Sequence, residues 1–318
     1  MPGSSSDCGS HLSLLNTLLA FTITHPRFPS PLKDRGYDAD VLIEWEFSGI
    51  ESGIVSFDAI VNNSTACHAL LIEVKSSAGD DEARKRFRQQ LDRHRLLTND
   101  DVRGSGVTLG EVDTTFDLAV MTRHDRSQDL LDQLDDEDPH SAVVLQVIRD
   151  DGACCLASCE LQRRELSRGE LQDAFTLELD PPVPIPDHFM PFDQNSSLLE
   201  TAAEILPALG RLYLDPNRMS FSHEELAEAS IPVWPSIHKR YQRGIATRVR
   251  TVLRGLEAAL GDTGFRWDNS ERAWIFKEPP DRRRDASPPT LNRQVLQVLA
   301  REWDLEIEQL DVFEPPLL

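Results

Sequence analysis

The sequence is poor in lysine, with 5 against 28 arginines, and poor in cysteine (5), methionine (4) and tyrosine (3) over its 318 residues. Five cysteines is an odd count, and Cys154, Cys155 and Cys159 crowd into a stretch with strand character. A disulfide framework is therefore not expected, and a reducing compartment fits better. The same cluster lacks a second Cys or His pair at zinc spacing and reads as small apolar members of a buried strand. No apolar run reaches the roughly 20 residues needed to cross a bilayer. The best candidate, Leu12 to Ile23, has polar interruptions, no basic leader and no small-residue cleavage site. A soluble, cytoplasmic protein without membrane contact is the expectation. With 40% hydrophobic and 27% charged residues, disorder throughout, collagen and a peptide-sized scaffold are excluded, and the length implies two domains.

What is abundant is acid: 54 Asp and Glu against 33 Lys and Arg, a formal charge of -21. Such a surface repels nucleic acid as a whole, so any local basic patch carries information. High acid with little lysine also resembles the composition of proteins from salt-loving organisms, a halophile pattern that GC-rich coding bias would give in part.

Helical spacing of Leu12, Leu15, Leu18 and Leu19 predicts a helix over His11 to Phe21 with Ser10 as N-cap. Three β-branched, apolar runs follow, Val41 to Phe47, Gly53 to Val61 and His68 to Lys75, and read as consecutive strands. Asp80 to Leu97 is helical and heavily charged, Phe116 to Met121 is a fourth strand, and Ala142 to Ile148 with Ala153 to Cys159 reads as a hairpin. Five prolines between Asp180 and Ser197 mark a semi-rigid linker. Beyond it the pattern gives a helix over Leu198 to Leu214 despite Pro207, a short helix capped by Ser222, and a long helix from Ser236 to Leu260. A hairpin then turns at Asp268, Asn269 and Ser270. Another linker precedes a last amphipathic helix, Leu291 to Trp303. The expected domains are 1–180, a linker 181–197, 198–280, and a linker with C-terminal helix over 281–318.

The most informative local feature is Asp58 followed at a distance by Glu73-Val74-Lys75. On a strand Glu73 and Lys75 leave the same face while Leu70, Ile72 and Val74 occupy the other. Asp58 lies inside the neighbouring apolar run, so three ionisable groups can converge at one sheet end. Burying two carboxylates together is costly unless a cation sits between them, and oxygen ligands favour Mg²⁺ or Mn²⁺. A lysine beside such a cation can orient a water and stabilise charge on a phosphate, which suits phosphodiester hydrolysis. The bland alternative is a salt-bridged surface hairpin. Asp38, Asp40 and Glu44 are further acids that could add a ligand, though each also fits a plain loop or strand-edge carboxylate. Ser76 and Ser77 could contact a phosphate or simply cap a helix.

Residues 11 to 121, about a third of the chain, resemble the PD-(D/E)XK nuclease superfamily, whose core runs helix, three strands, helix, strand. The resemblance implies that Asp58 and Glu73 hold the metal and that Lys75 assists the attacking water. Gln90 stands where the RecB-like branch carries a Gln that helps place DNA, and His94 stands where that branch has Tyr. Phe57 replaces the proline of the family name.

A second signal lies in residues 236–285, which hold twelve Lys or Arg and seven acids, whereas the rest of the chain has 21 bases against 47 acids. At 100° per residue Lys239, Arg243, Arg250 and Arg254 share one sector with Arg240 at its edge, opposite Ile237, Tyr241, Ile245, Val249, Val252, Leu256 and Leu260. One face suits a core and the other phosphate. The helix and the following hairpin, with Arg266, Arg272 and Lys277, resemble the recognition helix and wing of winged-helix DNA binders. The alternative is a basic face that docks an acidic protein. His238, beside Lys239, is a weaker phosphate candidate.

The expected fold class is α/β: a restriction-endonuclease-like mixed sheet flanked by helices, plus a mainly helical winged-helix domain. The expected function is a metal-dependent (Mg²⁺ or Mn²⁺) nuclease acting on nucleic acid, DNA preferred, in defence or repair, with a homodimer left open. Its catalytic set is Asp58, Glu73, Lys75 and Gln90, and its nucleic-acid contacts are Lys239, Arg240, Arg243, Arg250, Arg254 and Arg272. The alternative is a non-catalytic winged-helix DNA-binding regulator with a degenerate nuclease-like domain.

Overall fold

The computed structural model describes residues 10–37, 41–50, 53–76, 81–104, 107, 114–132, 141–150, 154–215, 217–260 and 264–277. They fall into two compact units, one of 10–189 with 236–238 and the other of 190–235 with 239–277.

The first unit is built on a seven-stranded mixed sheet whose strands lie side by side in chain order. They are β1 (Val41–Ile50), β2 (Gly53–Asn63), β3 (His68–Lys75), β4 (Thr115–Arg123), β5 (Ser141–Asp150), β6 (Cys154–Gln162) and β7 (Leu177–Pro184). The three central strands β3, β4 and β5 run parallel and the flanking pairs are antiparallel. Parallel neighbours need a crossover. Between β3 and β4 it contains α2 (Asp81–His94) and the short α3 (Asn99–Gly104), and between β4 and β5 it contains α4 (Gln128–Leu131). With α1 (His11–Thr22) and α5 (Gly169–Ala174), this is a mixed α/β fold whose sheet is flanked by helices. Every residue of α1 from Leu14 to Thr22 is buried, as expected of a helix apolar on most sides. Its N-terminus is closed by Ser10, whose hydroxyl accepts the Ser13 N–H at 3.2 Å. In β3 all residues but Lys75 are buried, the signature of a strand covered on both faces.

Three expectations need correction here. The prolines placed in a linker begin instead in β7, an edge strand, where a residue without an N–H costs no ladder bond on its outer side. Phe189, Met190, Phe192 and Asp193 are buried as well. The charged helix stops at His94 rather than Leu97, and α3 follows it. Finally, Cys154 is disulfide-bonded, while Cys67 and Cys159 carry free thiols. The expected C-terminal linker and helix, 281–318, lie outside the described residues.

The second unit runs α6 (Leu198–Leu214), β8 (Ser220–Phe221), α7 (His223–Ser230), α8 (Lys239–Leu260), β9 (Phe265–Asp268) and β10 (Ala273–Phe276). The three strands pair in the order β8-β10-β9. Capping boxes close α6 and α7: Ser197 with Glu200, and Ser222 with Glu225. The long helix begins at Lys239, three residues later than the sequence pattern suggests, because Trp234–Ser236 forms a 3-10 turn. Ile245, Val249, Val252, Leu253 and Leu256 of α8 are buried with Phe265, Trp274 and Phe276.

Candidate active site

The carboxyl end of β3 carries the candidate site. Residues Ala59↔Ile72 and Ile60↔Leu71 are partners between β2 and β3, so Asp58 and Glu73 sit opposite each other. Asp58 Oδ2 accepts the backbone N–H of Val74 at 2.5 Å, and its Oδ1 lies 3.2 Å from His11 Nε2 at the start of α1. Lys75 Nζ donates to Glu73 Oε1 and stands 5.4 Å from the centroid of Phe87. The end of the strand is fixed by Thr122 Oγ1, which donates to the Lys75 carbonyl at 2.7 Å.

Glu44 joins this group from β1. Its neighbours pair as Ile43↔Ala59 and Trp45↔Phe57, which sets Glu44 against Asp58. Its backbone φ is +53°, uncommon for a side-chain-bearing residue and costly unless its surroundings hold it. His11, Glu44 and Asp58 each offer a ligand atom within 4.8 Å of the others, a geometry able to hold a metal ion.

Burial opposes every charge here, and the outcome depends on each group's partners. Burial pushes Asp58 up, but the His11 contact, the Lys75 charge and the Val74 amide outweigh it and hold the carboxyl below its usual range. Glu73 goes the other way, pushed up to about 8 by burial and by Asp58, with Lys75 and Gln90 offsetting only part. Lys75 is raised: burial alone would lower it, and the carboxylates of Glu73, Asp58 and Glu44 prevail. Glu73 Oε2 is buried without a hydrogen bond of regular geometry, although Gln90 faces the carboxylate. A cleft of about 300 Å³ between β2 and α2 shares Gln90 with the site and is lined also by Ile54, Ser56, Arg86, Gln89 and Arg93.

The structure thus brings Asp58, Glu73, Lys75 and Gln90 together. His94 is not among them: it is buried, stacks on Phe57 at 4.1 Å, and its Nε2 lies 3.1 Å from the Ser56 carbonyl. Burial pushes its pKa down to about 4. Asp38 and Asp40 lie outside the described residues. His11 is the functional candidate that sequence reasoning misses, since nothing local links a helix's first residue to an aspartate 47 positions on.

In the second unit Lys239, Arg240, Arg243, Arg250 and Arg254 are exposed on α8, and Arg272 is exposed at the β9–β10 turn. Arg250 and Arg254 lean on Trp267, with guanidinium carbons 5.0 and 5.7 Å from the ring centroid. Arg254 also pairs with Glu257 at 3.0 Å. His238 belongs to the first unit, where it meets Trp45 edge to face at 5.3 Å.

A mixed α/β unit with a carboxylate-rich strand end is the class these features define. Residues 10–190 match the family model of the MJECL32 domain, and the chain belongs to that family. No curated protein and no solved structure matches the chain. No helix among the described residues is long and apolar enough to cross a membrane.

Proposed function

We propose that this protein is a divalent-metal-dependent nuclease with a restriction-endonuclease-like site in residues 10–189 and a nucleic-acid-binding winged helix-turn-helix in 190–277. The observation that carries this reading is the meeting of Asp58, Glu73 and Lys75 at one strand end, beside His11 and Glu44. The winged-helix part rests on the order α6, β8, α7, α8, β9, β10, with β10 paired between β8 and β9, and on the exposed cations of α8. DNA is the preferred substrate in this reading.

The residues fit a cation. Glu73 keeps one buried oxygen without a regular partner, and the donors are carboxylates with a single imidazole. Asp58, Glu44 and His11 would hold Mg²⁺ or Mn²⁺, with Glu73, which lies outside that three-residue cluster, as a further ligand, and the imidazole nitrogen favours Mn²⁺. When bound, the ion supplies a Lewis acid for phosphoryl oxygens and a water of lowered pKa. Lys75, held in its charged form by the acidic groups around it, orients the attacking water and offsets charge gathering on the phosphate. Gln90 steadies the Glu73 carboxylate.

The test is cleavage of DNA and RNA, single- and double-stranded, by the full chain with and without Mg²⁺ or Mn²⁺. Metal-dependent cleavage is expected, falling about a hundredfold or more in Asp58→Ala and Lys75→Ala. Binding without cleavage of any substrate rejects the reading in favour of a DNA-binding regulator.

A further inference from the structure

The second unit holds a cleft of about 440 Å³ where the start of α7, the middle of α8 and the β9–β10 hairpin meet. Its walls are His223, Glu224, Arg250, Trp267, Asn269 and Arg272. The volume lies toward the small end of the range for ligand clefts. Its chemistry is specific. Trp267 is half-buried, tied down by a hydrogen bond from its Nε1 to Asn269 Oδ1 at 2.8 Å, and meets Trp274 and His223 edge to face at 5.2 and 6.0 Å. Arg250 is held over that indole, so its charge is already positioned before any ligand arrives. Burial, helped by Arg250, outweighs Glu224 and lowers the His223 pKa, so the imidazole is neutral at pH 7. The lining charge is then two guanidiniums against one carboxylate.

A flat aromatic wall, two cations, one carboxylate and one amide fit a ligand that is part ring and part anion. Double-stranded backbone has the anion but no free ring, because paired bases are stacked away from reach. A free phosphate has nothing for the indole and is repelled by Glu224. An unpaired nucleotide satisfies all of them: its base has an open π face to lay against the stacked Arg250 and Trp267, its phosphate meets Arg272, and its exocyclic amino group can donate to Glu224. We propose that this cleft seats one unpaired nucleotide, so that the unit engages nucleic acid at an end, gap or single-strand junction rather than along uninterrupted duplex. This rests on the reading of residues 190–277 as a nucleic-acid binder.

The experiment compares binding of the full chain, in metal-free buffer with EDTA, to a labelled blunt duplex and to the same duplex bearing one unpaired terminal 2-aminopurine. The extended duplex should bind about tenfold tighter, the value of one base–aromatic stack, and its 2-aminopurine fluorescence should be quenched. Trp267→Leu should bring the ratio of the two affinities to about one and abolish the quenching. Arg272→Ala, an exposed substitution with little risk to folding, should reduce the same ratio. Equal affinities without quenching overturn the nucleotide cleft while leaving nucleic-acid binding intact. A preference that survives both substitutions in folded protein overturns it too, by placing the base elsewhere. Binding of neither duplex overturns this inference together with the reading beneath it.

Discussion

The two ends of β3 hold buried ionisable clusters of similar make-up, about 17 Å apart along the strand. At the amino end His68 is fully buried, with Tyr37 Oη 2.9 Å from its Nδ1 and Asp117 Oδ2 3.3 Å from its Nε2. Asp117 also accepts the N–H and the hydroxyl of Ser167, each at 2.8 Å. Burial raises the Asp117 pKa, yet His68 and Ser167 together hold it below its usual range. At the carboxyl end the same burial leaves Glu73 raised to about 8 with an oxygen unsatisfied. Burial is common to both ends, so the difference lies in the neighbours: His68 and Ser167 donate to Asp117, whereas the Asp58 charge faces Glu73. The protein's own groups complete the amino end. The carboxyl end is left short of positive charge, which is the condition a cation relieves.

The largest effect expected from breaking this contrast is at the amino end. Asp117→Ala removes three hydrogen-bonding contacts and leaves His68 without its acid, a loss of about 3 kcal/mol of folding stability. Urea denaturation of the full chain, followed by a probe of the sheet unit, measures it. Metal-dependent cleavage should persist at temperatures where the variant is folded. Loss of cleavage in folded Asp117→Ala protein would show that the two ends are not separate in role.

The strand succession from β1 to β4 is legible in the sequence because β-branched runs alternate with turn residues. So is the shared face of Glu73 and Lys75, which strand periodicity fixes, while the short connection between the two strands brings Asp58 beside them. Glu44 is a different case. At the hairpin tip Ile50 faces Gly53, a register that would set Glu44 against Ala59, but a shift between Phe47 and Ile50 moves it onto Asp58. A bulge of this kind re-aims a side chain by one residue and leaves no mark in composition. His11 is hidden for another reason, because its approach to Asp58 depends on how α1 packs on the sheet. The strand β7 is hidden because prolines argue against a ladder unless the strand is known to be an edge.

Glu73→Gln sharpens the contrast from the carboxyl end. An acid whose folded pKa is about 8, against an ordinary 4.5, binds more protons folded than unfolded between those values. Stability is therefore lost as pH rises through that window. The amide cannot ionise, so at pH 8 in EDTA the variant should be more stable than the natural chain by about 2 kcal/mol, roughly half of what linkage alone gives because the amide forgoes the Lys75 ion pair, with a flatter dependence on pH. Thermal melts across pH 5 to about 8.5 check this. Mn²⁺ should raise the melting temperature of the natural chain and have much less effect on the variant. Equal pH slopes in the two proteins would show that Glu73 is not the strained member of the pair.

The smallest effect should come from Tyr37→Phe. Burial raises the tyrosine pKa well above its usual value, so the hydroxyl stays protonated and donates to His68 Nδ1 when Nε2 carries the imidazole proton toward Asp117. Removing that hydroxyl keeps the ring and deletes one buried donor, a cost of about 1 kcal/mol. Combined with Asp117→Ala it should cost less than the sum of the two, because both act through the same imidazole. Combined with Glu73→Gln it should be additive within about 0.5 kcal/mol, since the two ends lie about 17 Å apart along the strand. Non-additivity in that second pair would mean that β3 transmits strain along its length, and that the cation-poor end owes part of its geometry to the finished one.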